Sequence, residues 1–459
     1  MSKRKMLLIV PHQDDEMLVG GGVLYQFANS KEWDSYVLYT TEGAAINEDP
    51  KVRMQEAIKA LKEMGISENH IIFLGYGNGW QGKVHIYHAA ENDKLISLKG
   101  KTETFALPNH EEFCYQKYGV HHCFSRQNYK KDLSEAITDI KPDVIIGVDL
   151  DDHEEHMATS LLLDECLEII LKKEADYRPL LLKKFAYDGL WHGKDDYFNI
   201  PRVPTLNGEG RDNDTRNPAF QWNERLRFAN PPQCNTCLFC NNRLNKAMRK
   251  HKSQGGWLCA ARLINSDNVF WVKRTDNLAL TGEITTSSGN SRYLNDFKMV
   301  DAVNVRNKKT EWGNCSWIPK RDDKEKKIII TWKEIQKVKQ IVLYESPEKM
   351  DGMIKNIQIK LDENYEFQTG ELKHGGISNQ FNFDDVHLCK KIEITLLATE
   401  GVCGLSEIEV FQDKFDLDKY LLPLMIWREK KTSFVLLRKI INFVEKKIFH
   451  LKAHILLSE

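Results

Sequence analysis

The sequence predicts an α/β sheet domain, then an all-β sandwich, then a C-terminal amphipathic helix. Over roughly the first 190 residues, short β-rich runs alternate with helix-like segments, the pattern of a parallel sheet covered on both faces. Beyond residue 281, short β-rich runs recur without long helices between them. After residue 428, apolar residues return at three- and four-residue steps among lysines and arginines.

At 459 residues the chain is too long for one ordinary domain. Hydrophobic residues make up 41% and charged residues 29%, the balance of a globular protein rather than a disordered one. A formal net charge of −1 gives no overall field toward nucleic acid, so no nucleic-acid partner is expected. The start MSKRKMLLIV is basic and then apolar, but Pro11 and His12 interrupt it before it reaches the length of a secretory signal. No run approaches about 18 uninterrupted apolar residues, so no spanning helix is expected. The ten cysteines form no disulfide framework, and Cys166, Cys259 and Cys389 sit in apolar surroundings. A cytoplasmic location follows as the expectation.

Within the first part, MLLIV (6–10), SYVLYTT (35–41), HIIFLGY (70–76) and DVIIGVD (143–149) read as strands. The segment VRMQEAIKALKEMG (52–65) reads as a helix, with Ala57, Ile58, Leu61 and Met64 on one stripe and Gly65 as its stop. In such sheets ligands gather beyond the carboxyl ends of the strands. There the first strand is followed by His12, Asp14, Asp15 and Glu16, the second by Glu42 and Gly43, and the fourth by DDHEEH (151–156). Burying so many anions is costly unless something positive neutralises them, and a metal ion is the first suspect. Zinc in a hydrolytic site takes three ligands from His, Asp and Glu and leaves one position open. His12 and Asp15 can ligate one ion. Of His153 and His156, one can supply the third donor and the other can stabilise an oxyanion. Asp14 then remains to take a proton from the attacking water as general base.

The stretch PHQDDE (11–16) resembles the PHPDDE or AHPDDE signature of the PIG-L/LmbE-like deacetylases, and DDHEEHMAT (151–159) resembles that family's second motif. The likeness spans roughly residues 5 to 200 and extends toward 280. It implies a zinc-dependent hydrolase on a Rossmann-like sheet that removes an acyl group, usually acetyl, from an amino sugar or its conjugate. Carried over by motif position, it implies His12, Asp15 and His156 as zinc ligands, Asp14 as general base and His153 as the oxyanion-stabilising partner. Arg53 resembles the family's substrate-holding arginine, the other reading being an arginine on a helix surface. Two positions depart from the pattern. Gln13 replaces the usual proline with the ligand spacing unchanged. Asn78, in LGYGNGW (74–80), stands where many relatives have an acid, so the substrate contact made there does not carry over.

The catalytic domain is expected to span 1–280 and to include a Cys-rich insertion at 230–260. In that insertion Cys234, Cys237 and Cys240, with Cys259, form either a second, structural zinc site or a set of free or redox-active thiols. The aromatic segments DGLWHGKDDYF (188–198) and PAFQWNERLRF (218–228) form either core or a substrate-facing lid. A polar stretch, TGEITTSSGNSRY (281–293), reads as a linker. Strands are then expected at 326–332, 340–346, 354–362, 390–397 and 405–411, within a sandwich over 281–412.

The runs DAVNVRNKKTEWGNCSWIP (301–319) and GLSEIEVF (404–411) resemble the discoidin or coagulation-factor type C module, a galactose-binding-like jelly roll. That resemblance implies carbohydrate binding through loops at one end, or structural docking, with Trp312 and Trp317 in or near the core. In the tail, 413–459, Leu437, Ile440, Val444, Ile448, Leu451 and Ile455 make an apolar stripe on a basic helix. Such a helix fits either a peripheral contact with the inner membrane face or docking on protein. Together these features give an expected function: metal-dependent removal of the N-acetyl group from an N-acetylglucosaminyl-type sugar in a glycan or lipid-linked glycoconjugate. The alternatives are a non-catalytic glycan-binding protein and a deacetylase of a small soluble amino-sugar conjugate.

Overall fold

The protein is seen in a computed structural model that describes residues 2–45, 47–82, 84–186, 217–236, 240–263, 267–304, 311–347, 352–426 and 447. In chain order the first part contains β1 (Arg4–Val10), α1 (Asp15–Val19), α2 (Gly21–Ala28), β2 (Trp33–Thr41), α3 (Pro50–Met64) and β3 (Ile71–Tyr76). Then come α4 (Phe113–Tyr118), α5 (Arg126–Ile140), β4 (Val144–Val148), α6 (Glu154–Lys173) and β5 (Leu180–Lys184). Met6 to Val10 are fully buried, as are all five residues of β4, which is why these strands read as unbroken apolar runs rather than alternating ones. At the start of α3 the Asp49 side chain accepts from the Lys51 amide and Pro50 occupies the first turn; Gly65, at φ 93°, ends it. His153 caps α6, accepting from the Glu155 amide.

These strands lie in the order β3-β2-β1-β4-β5, all parallel. The order reverses between β1 and β4, so their connections depart toward opposite faces and leave a crevice beyond their carboxyl ends. The parallel sheet expected over the first 190 residues is thus present, and the whole sheet becomes mixed only through strands from further along the chain. Two further strands, β6 (Leu226–Ala229) and β7 (Asp267–Lys273), continue it past β5 with antiparallel pairing.

The second unit contains β8 (Glu283–Thr286), β9 (Ala302–Asn304), β10 (Glu311–Trp312), β11 (Lys327–Glu345), β12 (Met353–Leu361), β13 (Tyr365–Gln368), β14 (Ser378–Glu400) and β15 (Leu405–Phe411). Its main sheet runs β13-β12-β14-β11-β15, with β8 also on β11 and every pairing antiparallel. Trp317, Ile328, Ile330, Ile341 and Ile394 are fully buried in its core. The Trp312 side chain lies outside the described residues.

Two expectations change here. The separate strands at 326–332 and 340–346 are one strand, β11, whose pairing with β14 shifts between Thr331 and Gln336; an irregularity of this kind bends a strand without ending it. The supposed linker at 281–293 contains β8, with Ile284 packed against the sandwich core and Thr286 opposite Ile328. It reads as polar because β8 exposes alternate residues.

The tail is corrected in part as well. Residues 413–426 run back over the first sheet: Phe415, Leu417, Leu422 and Leu424 pack against its core, and β16 (Met425–Ile426) pairs with β6. The apolar stripe from Leu437 to Ile455 lies outside the described residues. Among the described residues no helix is long and apolar enough to cross a membrane.

A buried polar knot joins the two units. The Lys298 ammonium stands 3.1 Å from Glu165, 3.3 Å from Asp301 and 3.2 Å from the Tyr87 hydroxyl, which itself donates to Asp301 at 2.9 Å. Removing one member of such a knot strands a buried charge. Lys298→Ala is therefore expected to lower stability by about 3 kcal/mol in urea denaturation. A loss below about 1 kcal/mol would show the Lys298 pairs to behave like surface ion pairs and contribute little.

Candidate metal and hydrolytic site

The crevice between β1 and β4 holds the two acid and histidine clusters. His12 and Asp15 come from the turn after β1, and His153 and His156 from the start of α6, just beyond β4. His12 Nδ1 lies 2.9 Å from Asp15 Oδ2, His156 Nε2 lies 3.1 Å from the same oxygen, and the two nitrogens are 3.2 Å apart. His12 is 2% exposed, and Asp15 and His156 are fully buried. The ring of His153 stands 4.5 Å from that of His12 and 4.8 Å from that of His156.

Each histidine is fixed from behind. His12 Nε2 lies 2.9 Å from Asn78 Oδ1, a contact that would place a proton on that nitrogen and free the Nδ1 lone pair for an ion when one is bound. His156 Nδ1 stands 2.7 Å from Asp151 Oδ2, the carboxylate–histidine pairing that orients metal ligands. Asp15 Oδ1 is buried without a hydrogen-bond partner. Two imidazoles and a carboxylate meeting at one point fit a divalent ion: ligands ~2.0–2.1 Å from zinc in a tetrahedron stand ~3.3 Å apart.

The electrostatics follow from these contacts. Burial alone would raise the Asp15 carboxyl, but His156 and His12 outweigh it and hold Asp15 well below the usual carboxylate range. Burial likewise disfavours charge on His156, yet Asp15 and Asp151 carry it up to about 10. His153 has burial and two neighbouring imidazoles acting in the same direction, which push it down to about 3 and leave it neutral. Its Nδ1 accepts from the Glu155 amide at 3.2 Å, so its proton sits on Nε2.

Asp14 is set apart from this triangle. Its backbone has φ 146°, a strained conformation for a residue with a side chain. The Arg53 guanidinium holds it, at 3.1 Å from Asp14 Oδ1 and 3.0 Å from the Gln13 carbonyl, with a further bond to the Gly43 carbonyl. Arg53 is thus 5% exposed and engaged with the turn, which overturns the helix-surface reading. Burial raises the Asp14 carboxyl to about 6, against the pull of Arg53 and with help from Asp15. Gln13 takes the place of a proline by tying the turn down: its amide donates to the Thr41 carbonyl at 2.9 Å. Gly43, at φ 73°, leaves it room, because a Cβ there would fall 1.8 Å from Gln13 Oε1.

Several residues at the site had no role assigned from the sequence, and His251 was not foreseen at all. Glu16 is fully buried and 2.7 Å from His251, which the 230–260 segment brings in. Asn78 and Asp151 act behind the histidines; Asp151 stood in the quoted motif, whereas no local pattern marks His251. Glu42 lines a cavity of about 990 Å³ together with Lys51, Lys99, Lys101 and Phe105. Burial lifts its carboxyl to about 7, against the Asn78 amide and the two nearest lysines.

The other candidates lie elsewhere. Cys234 is buried and Cys240 exposed, both as free thiols, while Cys237 and the side chain of Cys259 lie outside the described residues. Phe220 and Trp222 pack on Trp271 beside the second unit, and segment 188–198 is likewise outside the described residues.

Two outcomes are expected. Asp151→Asn should weaken metal binding by about 10- to 100-fold in competition with a chromogenic chelator, and unchanged affinity would remove Asp151 from its orienting role. In the metal-free protein, His156 has its pKa raised from 6.5 to about 10, so its contribution to stability is full below pH 6.5 and lost as pH rises toward 10. Urea midpoints of chelated protein should fall across that window; midpoints that stay flat, or that fall equally in His156→Gln, would contradict it.

No curated protein matches the sequence. Among solved structures it is similar to the family 32 CBM from Clostridium perfringens NanJ in complex with galactose, with 16% identity, 28% of this chain and 92% of that chain covered, and a TM-score of 0.23. It is also similar to a Streptococcus pneumoniae fucose binding module, with 19% identity, 30% and 95% covered, and a TM-score of 0.24. Residues 277–411 match a family described as a domain of unknown function, DUF7402. Residues 7–167, which include His12, Asp15 and His156, match the PIG-L family, described as GlcNAc-PI de-N-acetylase.

Proposed function

We propose that the protein removes the N-acetyl group from an amino sugar within a glycan, by metal-dependent hydrolysis at the crevice between β1 and β4. The observation that carries this reading is the triangle of His12 Nδ1, Asp15 Oδ2 and His156 Nε2, 2.9–3.2 Å on a side, with the Asp14 carboxylate beside it in its own ion pair. The match of residues 7–167 to a de-N-acetylase family supports it. The second unit, which by sequence resembles a discoidin module, would hold the glycan chain.

His12, Asp15 and His156 would hold the ion, and a divalent cation there supplies Lewis acidity toward the amide carbonyl. The remaining work belongs to the chain. Asp14, with a carboxyl balanced near 6, takes a proton from the attacking water and returns it to the departing amine. Arg53 keeps that carboxylate oriented through Oδ1. The neutral His153 donates from Nε2 to the oxygen on which negative charge develops. Water and an N-acetyl amine thereby become acetate and a free amine. The cavity beside Glu42 offers hydroxyl-binding groups for the sugar.

Acetate release from N-acetylglucosaminyl oligosaccharides tests this reading. Chelation should abolish it, and Asp14→Asn should lower kcat by about 10³-fold with metal content unchanged. Acetate release undiminished in Asp14→Asn would overturn the mechanism.

A further inference from the structure

A second cluster of ligating side chains lies on the far side of β3. Between β3 and α5 the chain crosses residues 77–125 with little regular structure beyond α4 and one short 3₁₀ turn. Connections of that length are uncommon in compact domains and, where ordered, are usually functional. Cys114 lies on α4, Glu112 just before it, His122 just after it, and Asp132 on α5. Cys114, Glu112 and Asp132 are each fully buried, and the His122 side chain is 13% exposed.

Ligand atoms of Cys114, His122 and Asp132 all lie within 4.8 Å of one another. His122 Nδ1 is 2.9 and 3.0 Å from the two Asp132 oxygens, and Glu112 Oε1 is 3.9 Å from Cys114 Sγ. Thr104 Oγ1 touches both Cys114 Sγ, at 3.1 Å, and Glu112 Oε1, at 3.2 Å, and His121 bonds the same Glu112 oxygen. Glu112 Oε2 is buried with no hydrogen-bond partner at all. Asp132 faces the His122 imidazole and Glu112 that of His121, but Glu112 Oε2 is left buried without a partner, a cost that a cation at the cluster would relieve. Thiolate, imidazole and carboxylate together are the donor set of zinc, at ~2.0–2.3 Å each.

We propose that Cys114, His122 and Asp132, with the Glu112 carboxylate swinging in as the fourth ligand, bind a structural zinc ion that is separate from the centre formed by His12, Asp15 and His156. Four protein ligands leave no open position, so the ion is a staple rather than a catalyst. It pins the 77–125 connection to α5, and through the Tyr76 hydroxyl, 2.7 Å from Asp132, to the end of β3. The Tyr76 carbonyl in turn accepts the Glu42 amide at 2.7 Å, so the staple fixes the wall of the cavity that Phe105 and His121 line.

The test replaces zinc with cobalt in the full chain, because only a cysteine ligand gives thiolate-to-cobalt charge-transfer absorption in the near ultraviolet. That absorption is expected in the wild type and in His156→Ala, and its loss is expected in Cys114→Ser with about one fewer ion per chain. Should Cys114→Ser fail to fold, His122→Gln is expected to show the same loss. On the unaltered protein, alkylation of Cys114 should be at least tenfold faster after chelation. The proposal is overturned if the absorption is missing from the wild type, if it survives Cys114→Ser, or if Cys114 alkylates equally fast with and without metal. Because His156→Ala removes only the first centre, failure of either site is read separately.

Discussion

Asp14, Asp15 and Glu16 are three consecutive carboxylates at the end of β1, respectively 7%, 0% and 0% exposed, and much of the first domain is arranged around their charge. A buried carboxylate left alone costs several kcal/mol, so each requires a partner within hydrogen-bond reach. Each partner comes from a different part of the chain. Arg53 on α3 meets Asp14, His12 with His156 on α6 meets Asp15, and His251 from the 230–260 segment meets Glu16 at 2.7 Å. The charge problem at one strand end therefore draws together α3, α6 and a segment more than two hundred residues away. The sheet order supplies the place for it, because the connections from β1 and β4 leave toward opposite faces there.

Neighbouring acids in one turn acquire different properties from this arrangement. Asp15 lies between two imidazoles that hold its carboxyl well below the usual range, as the ligand role proposed for it requires. Asp14 has one guanidinium against deep burial and an adjacent anion, and the balance falls near neutrality. Two carboxyls pushed apart in this way can be assigned separate tasks, one holding charge and one exchanging a proton. The strained backbone at Asp14 fits the same logic, since the turn must aim consecutive side chains at different partners.

Much of this was legible in the sequence because the information is local. The strands β1, β2, β3 and β4 are short apolar runs, and α3 carries its cap and stop within itself. His12, Asp14, Asp15, His153 and His156 lie in two short runs at strand ends, so the parallel topology alone brings them together. His251 could not be read, because nothing within its own segment points toward Glu16. Asn78 was noticed only as a departure from an acid; its contact with the His12 ring spans 66 positions. The antiparallel strands β6 and β7 were missed because their segment mixes aromatic and polar residues without a period. In the second unit the error had another origin: β11 and β14 each bend within one continuous strand, and their polar middles read as turns.

The join between the two units sets how they can act. Val342, Tyr344 and Phe411 of the second unit belong to the same apolar core as β1 and β2. The Arg274 guanidinium lies 3.6 Å over the Phe411 ring, and Asn277 accepts the Val410 amide at 2.9 Å. With the Lys298 knot and the return of β16 onto the first sheet, apolar packing, charge and backbone pairing all cross the boundary. Units joined by a flexible linker gain effective concentration, but each samples many orientations. Here the polar stretch that would be that linker is instead strand β8, so a glycan held by the second unit, on the proposed reading, would meet the β1–β4 crevice in a fixed direction. For a chain-like substrate, fixed direction selects position along the chain, a constraint that the crevice by itself cannot impose.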